Sequence, residues 1–226
     1  MYDIIFISYN ELYADENFAK LQESYPLAKR IDKVAGIHQA HIAAAKKSMT
    51  RMFWVVDADA IIVDSFKFDY HVPDWDLDVV HVWHSRNPVN NLTYGYGGVK
   101  LLPKKLTIDM PVNTIDMTTN ISSKFKVMEE VSNITAFNTD PFSTWRSAFR
   151  ECCKLAVTNN EESLARVHFW CQLNDYARYG AYAYMGAITG KGYGEKNASN
   201  PEALAKINDF NWLEAQWLAE KFQISL

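Results

Sequence analysis

Cysteine is scarce in this chain of 226 residues. Cys152, Cys153 and Cys171 are the only three, none in a C-x-x-C pair. An odd number without that spacing argues against a disulfide framework and for reduced core thiols. Long hydrophobic runs are missing too, so no membrane span is expected. No basic n-region or cleavage site precedes the first apolar segment; no signal peptide is expected, and the expected compartment is the cytoplasm. Asn91, Asn120, Asn133 and Asn197 each open an N-x-Ser/Thr sequon, which without a secretion signal reads as chance. Neither sign of charge dominates: 23 Lys and Arg stand against 27 Asp and Glu, a formal net charge of −4. That balance argues against a dedicated polyelectrolyte binder but leaves room for a local basic face. No linker, internal repeat or low-complexity tract divides the chain, so residues 1–226 read as a single domain.

What is present is apolar and aromatic, 48% and 14% of the residues, enough for a substantial core. Ile4–Ile7, Phe53–Val56, Val79–Trp83 and Ile134–Phe137 are short continuous apolar runs of the kind buried on both faces of a sheet. Between the first two, Val34, Ile37, Ile42, Ala45 and Met49 share a helical stripe. The β–α–β rhythm predicts an α/β fold of three layers with a mostly parallel central sheet, followed by a helical C-terminal part. Asp140-Pro141 reads as a helix start. A further helix is expected over 161–179 with Gly180 as its stop, and a last one from Asn200-Pro201. Tyr94–Gly98 and Gly190–Gly194 read as glycine-bearing loops near a site.

The sharpest signal is the strand Phe53-Trp54-Val55-Val56 ending in Asp57-Ala58-Asp59. Ligands of open α/β sheets gather outside the carboxyl ends of strands. Two acids there are costly unless something positive compensates them. Mg²⁺ or Mn²⁺ suits carboxylate oxygens, and such an ion bridges a diphosphate and acts as Lewis acid on a leaving group. The bland alternative is a turn cap at Asp57 and a solvated Asp59.

At these residues the chain resembles GT-A-fold glycosyltransferases, especially family-2-like enzymes. Three blocks carry the likeness: Ile4-Ile5-Phe6-Ile7-Ser8-Tyr9-Asn10-Glu11; the run from Gly36 to Ala45 that leads to Val56-Asp57-Ala58-Asp59; and Thr139-Asp140-Pro141-Phe142 with Trp145-Arg146. Two departures stand out. Ala40-His41-Ile42 replaces the family's frequent A-R-N, and Thr139 replaces the usual glutamate. The resemblance implies a nucleotide-sugar donor, with UDP the expected base. It implies Asp57 and Asp59 as metal ligands for Mn²⁺ or Mg²⁺. It further implies Ser8, Tyr9, Asn10, Asp57, Gly97 and Gly98 as donor contacts, and Asp140 as catalytic base in an inverting mechanism; Asp32, His38, His41 and Lys191 are expected to join the donor contacts. Residues 1–100 would form the nucleotide-sugar half and 101–226 the acceptor side. A base at a helix N-cap is a tension, because the helix terminus lowers its pKa.

Other readings stay open here. Lys191 could close over phosphates, although its surroundings are not a P-loop. His38 and His41 share a helical face without a third metal ligand. His84 and Arg86 follow a strand end and could meet phosphate or acceptor. A haloacid-dehalogenase-type phosphatase would use Asp57 as nucleophile and Asp59 as acid/base, but a β–α unit precedes the motif and Ile61 stands four residues after Asp57. A non-catalytic nucleotide-binding module is the remaining class. For the acceptor, the small size and compact architecture resemble phage-encoded enzymes that glycosylate hydroxymethylated DNA bases such as hydroxymethylcytosine, including arabinosyl-transferring ones. Lys100, Lys104, Lys105, Lys124 and Lys126 would then track phosphates; otherwise the acceptor is a glycan or a small molecule.

Overall fold

The computed structural model describes residues 1–95, 97–112 and 117–224, with side chains described up to Glu220. Two compact units result: residues 1–87 with 93–136, and residues 88–92 with 137–226.

The first unit is an eight-stranded sheet ordered β2-β1-β3-β7-β5-β8-β4, with β6 paired to β5. Its strands are β1 (Asp3–Ser8), β2 (Lys29–Asp32), β3 (Met52–Asp57), β4 (Ala60–Ile62), β5 (Val80–Arg86), β6 (Thr93–Tyr94), β7 (Val99–Pro103) and β8 (Phe125–Thr135). The parallel pairs are β1–β2, β1–β3 and β5–β8. Antiparallel pairing joins β3–β7, β4–β8, β5–β6 and β5–β7. The sheet is therefore mixed, where a mostly parallel one was expected. β5 and β6 form a hairpin whose connection is too brief for a crossover helix, while β7 and β8 come from far along the chain to pair antiparallel with β3 and β4.

Buried strand residues alternate between two cores. Ile4, Phe6, Trp54, Val56, Trp83 and Leu101 join α1 (Ala14–Ser24) through Leu21, together with Phe66 and Phe68 of the segment after β4. Ile5, Phe53, Val55, Val80, Val82 and Leu102 face α2 (Ile37–Lys47), α3 (Lys104–Asp109) and α4 (Met117–Ile121). One face is thus helical, and the other is covered partly by an aromatic loop in which Phe66 and Phe68 meet Trp54 edge-on.

The second unit is helical: α5 (Pro141–Thr158), α6 (Glu161–Trp170), α7 (Gly180–Asn197), α8 (Pro201–Ala205) and α9 (Phe210–Ile224). The helix starts at Asp140-Pro141 and Asn200-Pro201 stand as expected, each capped by its side chain on the N–H three residues on. Gly180 opens α7 instead of stopping α6, because Cys171 already caps α6. The expected glycine loop at 190–194 is interior helix. Gly186, Gly190 and Gly194 let α7 lie directly on α5: an added Cβ would sit 2.2, 2.1 and 2.6 Å from the carbonyl oxygens of Trp145, Phe149 and Cys153. Among the described residues no helix is long and apolar enough to cross a membrane.

Candidate functional site

β2, β1 and β3 run parallel, so Ser8, Asp32 and Asp57 all stand at the carboxyl edge where ligands of such sheets collect. β3 is buried from Met52 to Val56 and surfaces at Asp57. Ala58 and Ala60 stay buried while Asp57 and Asp59 are half-buried. Small apolar residues thus anchor the turn and leave the carboxylates at its wetter positions. Asn17 Nδ2 donates to the Ala58 carbonyl (2.8 Å), and the Ala136 N–H donates to the Asp59 carbonyl (2.6 Å). The Asp57 N–H donates to the Gly98 carbonyl (2.9 Å), which ties the glycine turn before β7 to the end of β3.

Lys100 of β7 is 3% exposed. Its ammonium donates to both oxygens of Asp57, at 2.9 and 2.8 Å, and to the Gly97 carbonyl. A lysine is rarely so buried unless paired; here its three protons have three acceptors. Asp57 keeps 35% of its side chain exposed, so part of the carboxylate still faces solvent. Lys100 is therefore no part of a phosphate-tracking surface. The other expected lysines are engaged as well: Lys104 with the Ser48 carbonyl, Lys105 with Asp109, Lys124 with Asp78 and Lys126 with Asp76.

The donor set fits a hard divalent cation in type: two half-buried carboxylates one residue apart, one already sharing a positive charge. Among the described residues no group of three His, Cys, Asp or Glu side chains converges as a metal cage. An ion held by Asp57 and Asp59 would complete its shell from phosphate oxygens and water, as Mg²⁺-type sites do.

The expected nucleotide contacts separate into inner and outer groups. The Ser8 hydroxyl donates to Asp32 Oδ1 (2.7 Å) and accepts from Arg30 Nε (2.7 Å), which leaves it committed inside the sheet. Arg30 also reaches Asp15 and lies over the Phe6 and Phe18 rings. The Ser8 hydrogen bond, aided by Arg30 and Lys33, holds Asp32 below the usual carboxylate range. Tyr9 and Asn10 are exposed. His38 is buried, and Asn120 Nδ2 donates to its Nε2 (3.1 Å). His41 is 2% exposed and donates from Nδ1 to the Ile37 carbonyl (2.8 Å). Its Nε2 has no hydrogen-bond partner. Burial, then the nearby Lys100 charge, pushes its pKa down to about 3. His41 is thus a neutral interior ring and supplies no charge to a phosphate.

Gly97 adopts φ +88, a conformation that favours glycine, and a side chain at Gly98 would meet Asn133 Nδ2 at 2.5 Å. Asn133 is itself fully buried and accepts from the Ser85 and Ser132 hydroxyls (2.8 Å each), so it gives the turn a rigid floor. Tyr96, between these glycines and Tyr94, lies outside the described residues. Lys191 projects from α7 toward Glu195 (3.8 Å), not from a loop. Asp140 belongs to the second unit, where Oδ1 accepts from the Ser143 N–H (2.9 Å) and Oδ2 from the Thr139 hydroxyl (3.2 Å). Partial burial raises its pKa, but hydrogen bonds from Ser143, Thr139 and Phe142 outweigh this and hold it below the usual value.

No protein-family model matches the chain, and no curated protein matches it. Solved structures that bear a likeness include the following two. The mannosyltransferase PcManGT from Pyrobaculum calidifontis, in complex with GDP-Man and Mn²⁺, is 13% identical over 99% of this chain and 80% of that one, with a TM-score of 0.45. HddC from Yersinia pseudotuberculosis is 14% identical over 57% of this chain and 90% of that one, with a TM-score of 0.35. Both likenesses are too weak to bear on the chemistry of this chain.

Arg30 has no counterpart in the sequence reading, and Lys100 stands there only in another role, as a phosphate-tracking lysine. Lys100 lies one residue past the apolar start of β7 and looks like any surface lysine until β7 pairs with β3, opposite Val55. Arg30 is similar: only the parallel register of β1 and β2, Phe6 opposite Arg30, brings its guanidinium to Ser8.

Proposed function

We propose that the protein is a glycosyltransferase that takes a sugar from a nucleotide-diphosphate donor, with Asp57 and Asp59 as the residues that hold a divalent metal. The supporting observation is the knot at the end of β3: two half-buried carboxylates on an anchored turn, with Asp57 bonded through its N–H to Gly98 and through its carboxylate to Lys100. When bound, Mn²⁺ or Mg²⁺ would neutralise charge on the departing diphosphate. Asp57 and Asp59 would orient it. The backbone at Gly97–Gly98 would admit the donor closely for want of side chains, and Asp32, Tyr9 and Asn10 would meet the nucleotide. Asp140 is proposed as the base that takes the acceptor proton. The sequence resemblance makes UDP the first nucleotide to try. It also makes the hydroxyl of a hydroxymethylated DNA base the first acceptor to try.

The test is calorimetric titration of UDP into the protein with and without Mn²⁺, repeated on Asp59→Asn. Binding that needs Mn²⁺ and vanishes in the variant supports the reading. Equal UDP binding with and without metal, unchanged in Asp59→Asn, sinks the metal assignment.

A further inference from the structure

Lys100 is the part of the site that a simple two-carboxylate metal centre does not call for. Its ammonium already occupies both oxygens of Asp57, is buried, and reaches the Gly97 carbonyl as well. With Lys100 counted, Asp57 and Asp59 present a net charge of −1 instead of −2. A cation approaching the pair meets a fixed positive charge behind Asp57, and repulsion in so dry a place is not screened away by salt. His41 lies within electrostatic range of the same lysine. His41 Nε2 is a bare, buried nitrogen without a hydrogen-bond partner, close enough to feel the Lys100 charge. A neutral imidazole nitrogen accepts from an ammonium.

Resting on the donor-site reading above, we propose that Lys100 is a built-in competitor for the divalent ion at Asp57, so that the carboxylate pair holds metal only together with the donor diphosphate. The diphosphate brings the negative charge that Lys100 has cancelled and supplies the ligands the protein lacks. Lys100 is then a positioning residue with two tasks. It keeps Asp57 and the glycine turn in place before the donor arrives, and it prevents the site from filling with metal alone. For metal and diphosphate to bind there, the ammonium would give up one Asp57 oxygen, and the bare His41 Nε2 lies within range of its charge.

This reverses the usual expectation for a site residue: removing Lys100 should strengthen metal binding. The experiment titrates Mn²⁺ into the 226-residue chain and follows the paramagnetic resonance signal of free Mn²⁺, first without nucleotide and then with UDP. Wild type, Lys100→Met and Lys100→Gln are compared, with a thermal melt to confirm that each is folded. Lys100→Gln keeps a donor for Asp57 and Gly97 while dropping the charge, which covers the case in which Lys100→Met does not fold. Wild type should bind Mn²⁺ weakly alone and much more tightly with UDP. The uncharged variants should bind Mn²⁺ without nucleotide about tenfold more tightly than wild type, with a smaller gain from UDP. A merely structural lysine would weaken metal binding when removed. Unchanged or weaker Mn²⁺ binding in both folded variants, while wild type still binds Mn²⁺ with UDP, overturns the competitor role and leaves the donor-site reading standing. No Mn²⁺ binding by any of the three, with or without UDP, overturns both.

Discussion

At Asp140 one carboxylate faces two demands. As N-cap of α5 it accepts from the Ser143 N–H, and that interaction favours the ionised form. As a base it must take a proton, which a lowered pKa discourages. Substitution separates the tasks. Asparagine is as good a cap as aspartate, so Asp140→Asn should leave the melting temperature nearly unchanged, whereas Asp140→Ala should cost about 1 kcal/mol of stability. If Asp140 is the base, both variants lose sugar transfer to a similar degree; activity that tracks stability instead would reduce the residue to a cap. Thermal melts alongside single-turnover transfer assays decide it. The cap was legible from Asp140-Pro141 alone, because capping is a local matter of backbone donors. The Lys100–Asp57 pair was not legible, since its partners are 43 residues apart and meet only through strand register. The sequon at Asn133 reads as chance from the sequence, and in the fold its side chain is fully buried behind Gly98.

Among the elements, α7 departs furthest from its sequence reading. Gly190-Lys191-Gly192-Tyr193-Gly194 has the composition of a loop, yet all five residues are helical. Glycine serves both flexible turns and close helix contacts, and composition does not distinguish them. The spacing of four residues from Gly186 to Gly190 to Gly194 was the available signal, since it puts all three on one face of a helix. Gly192 is off that face, and an added Cβ there meets nothing within 4 Å. The two positions should respond oppositely to alanine. Gly190→Ala drives a Cβ into the Phe149 carbonyl and should cost about 3 kcal/mol or more. Gly192→Ala should be neutral or stabilise by up to about 1 kcal/mol, because alanine is the better helix former. Denaturant midpoints for the pair check this; equal effects would mean that the α5–α7 contact is looser than described. The strand ending at Asp57 was readable for the opposite reason: an apolar run that stops at two acids has few other interpretations in an α/β chain.

For the molecule as a whole, the shifted histidines and carboxylates point one way. Burial holds His41 down to about 3 and lowers His81 as well. The unfolded chain would protonate both near 6.5. Between that value and the folded one, the unfolded state binds more protons, so stability falls as the pH drops. Asp32 and Asp140 are also held low; their contribution is complete above their unfolded pKa and is lost as pH falls through the folded value. Melting temperature should therefore decline in two stages on acidification, a histidine stage beginning near pH 6.5 and a carboxylate stage below about pH 4. His41→Met should flatten the first stage, whose slope per buried ring approaches about 1.4 kcal/mol per pH unit. A profile unchanged by that substitution would mean that the His41 ring is protonated in the folded state. At this scale the α/β class and the helical C-terminal part were readable from periodicity. Strand direction was not, because β7 and β8 take their orientation from pairing partners far away in the chain.

One consequence concerns the order of events during synthesis. Residues 88–92, at the tip of the β5–β6 hairpin, belong to the helical unit, where Asn174 Nδ2 donates to the Val89 carbonyl (2.7 Å). This tip leaves the ribosome well before Asn174 exists. The nascent sheet can pair its strands, but the tip must wait, its backbone in water, until the C-terminal helices emerge. A C-terminal fragment starting at residue 137 would lack a piece of its own unit, so no single cut in the gene yields both units whole.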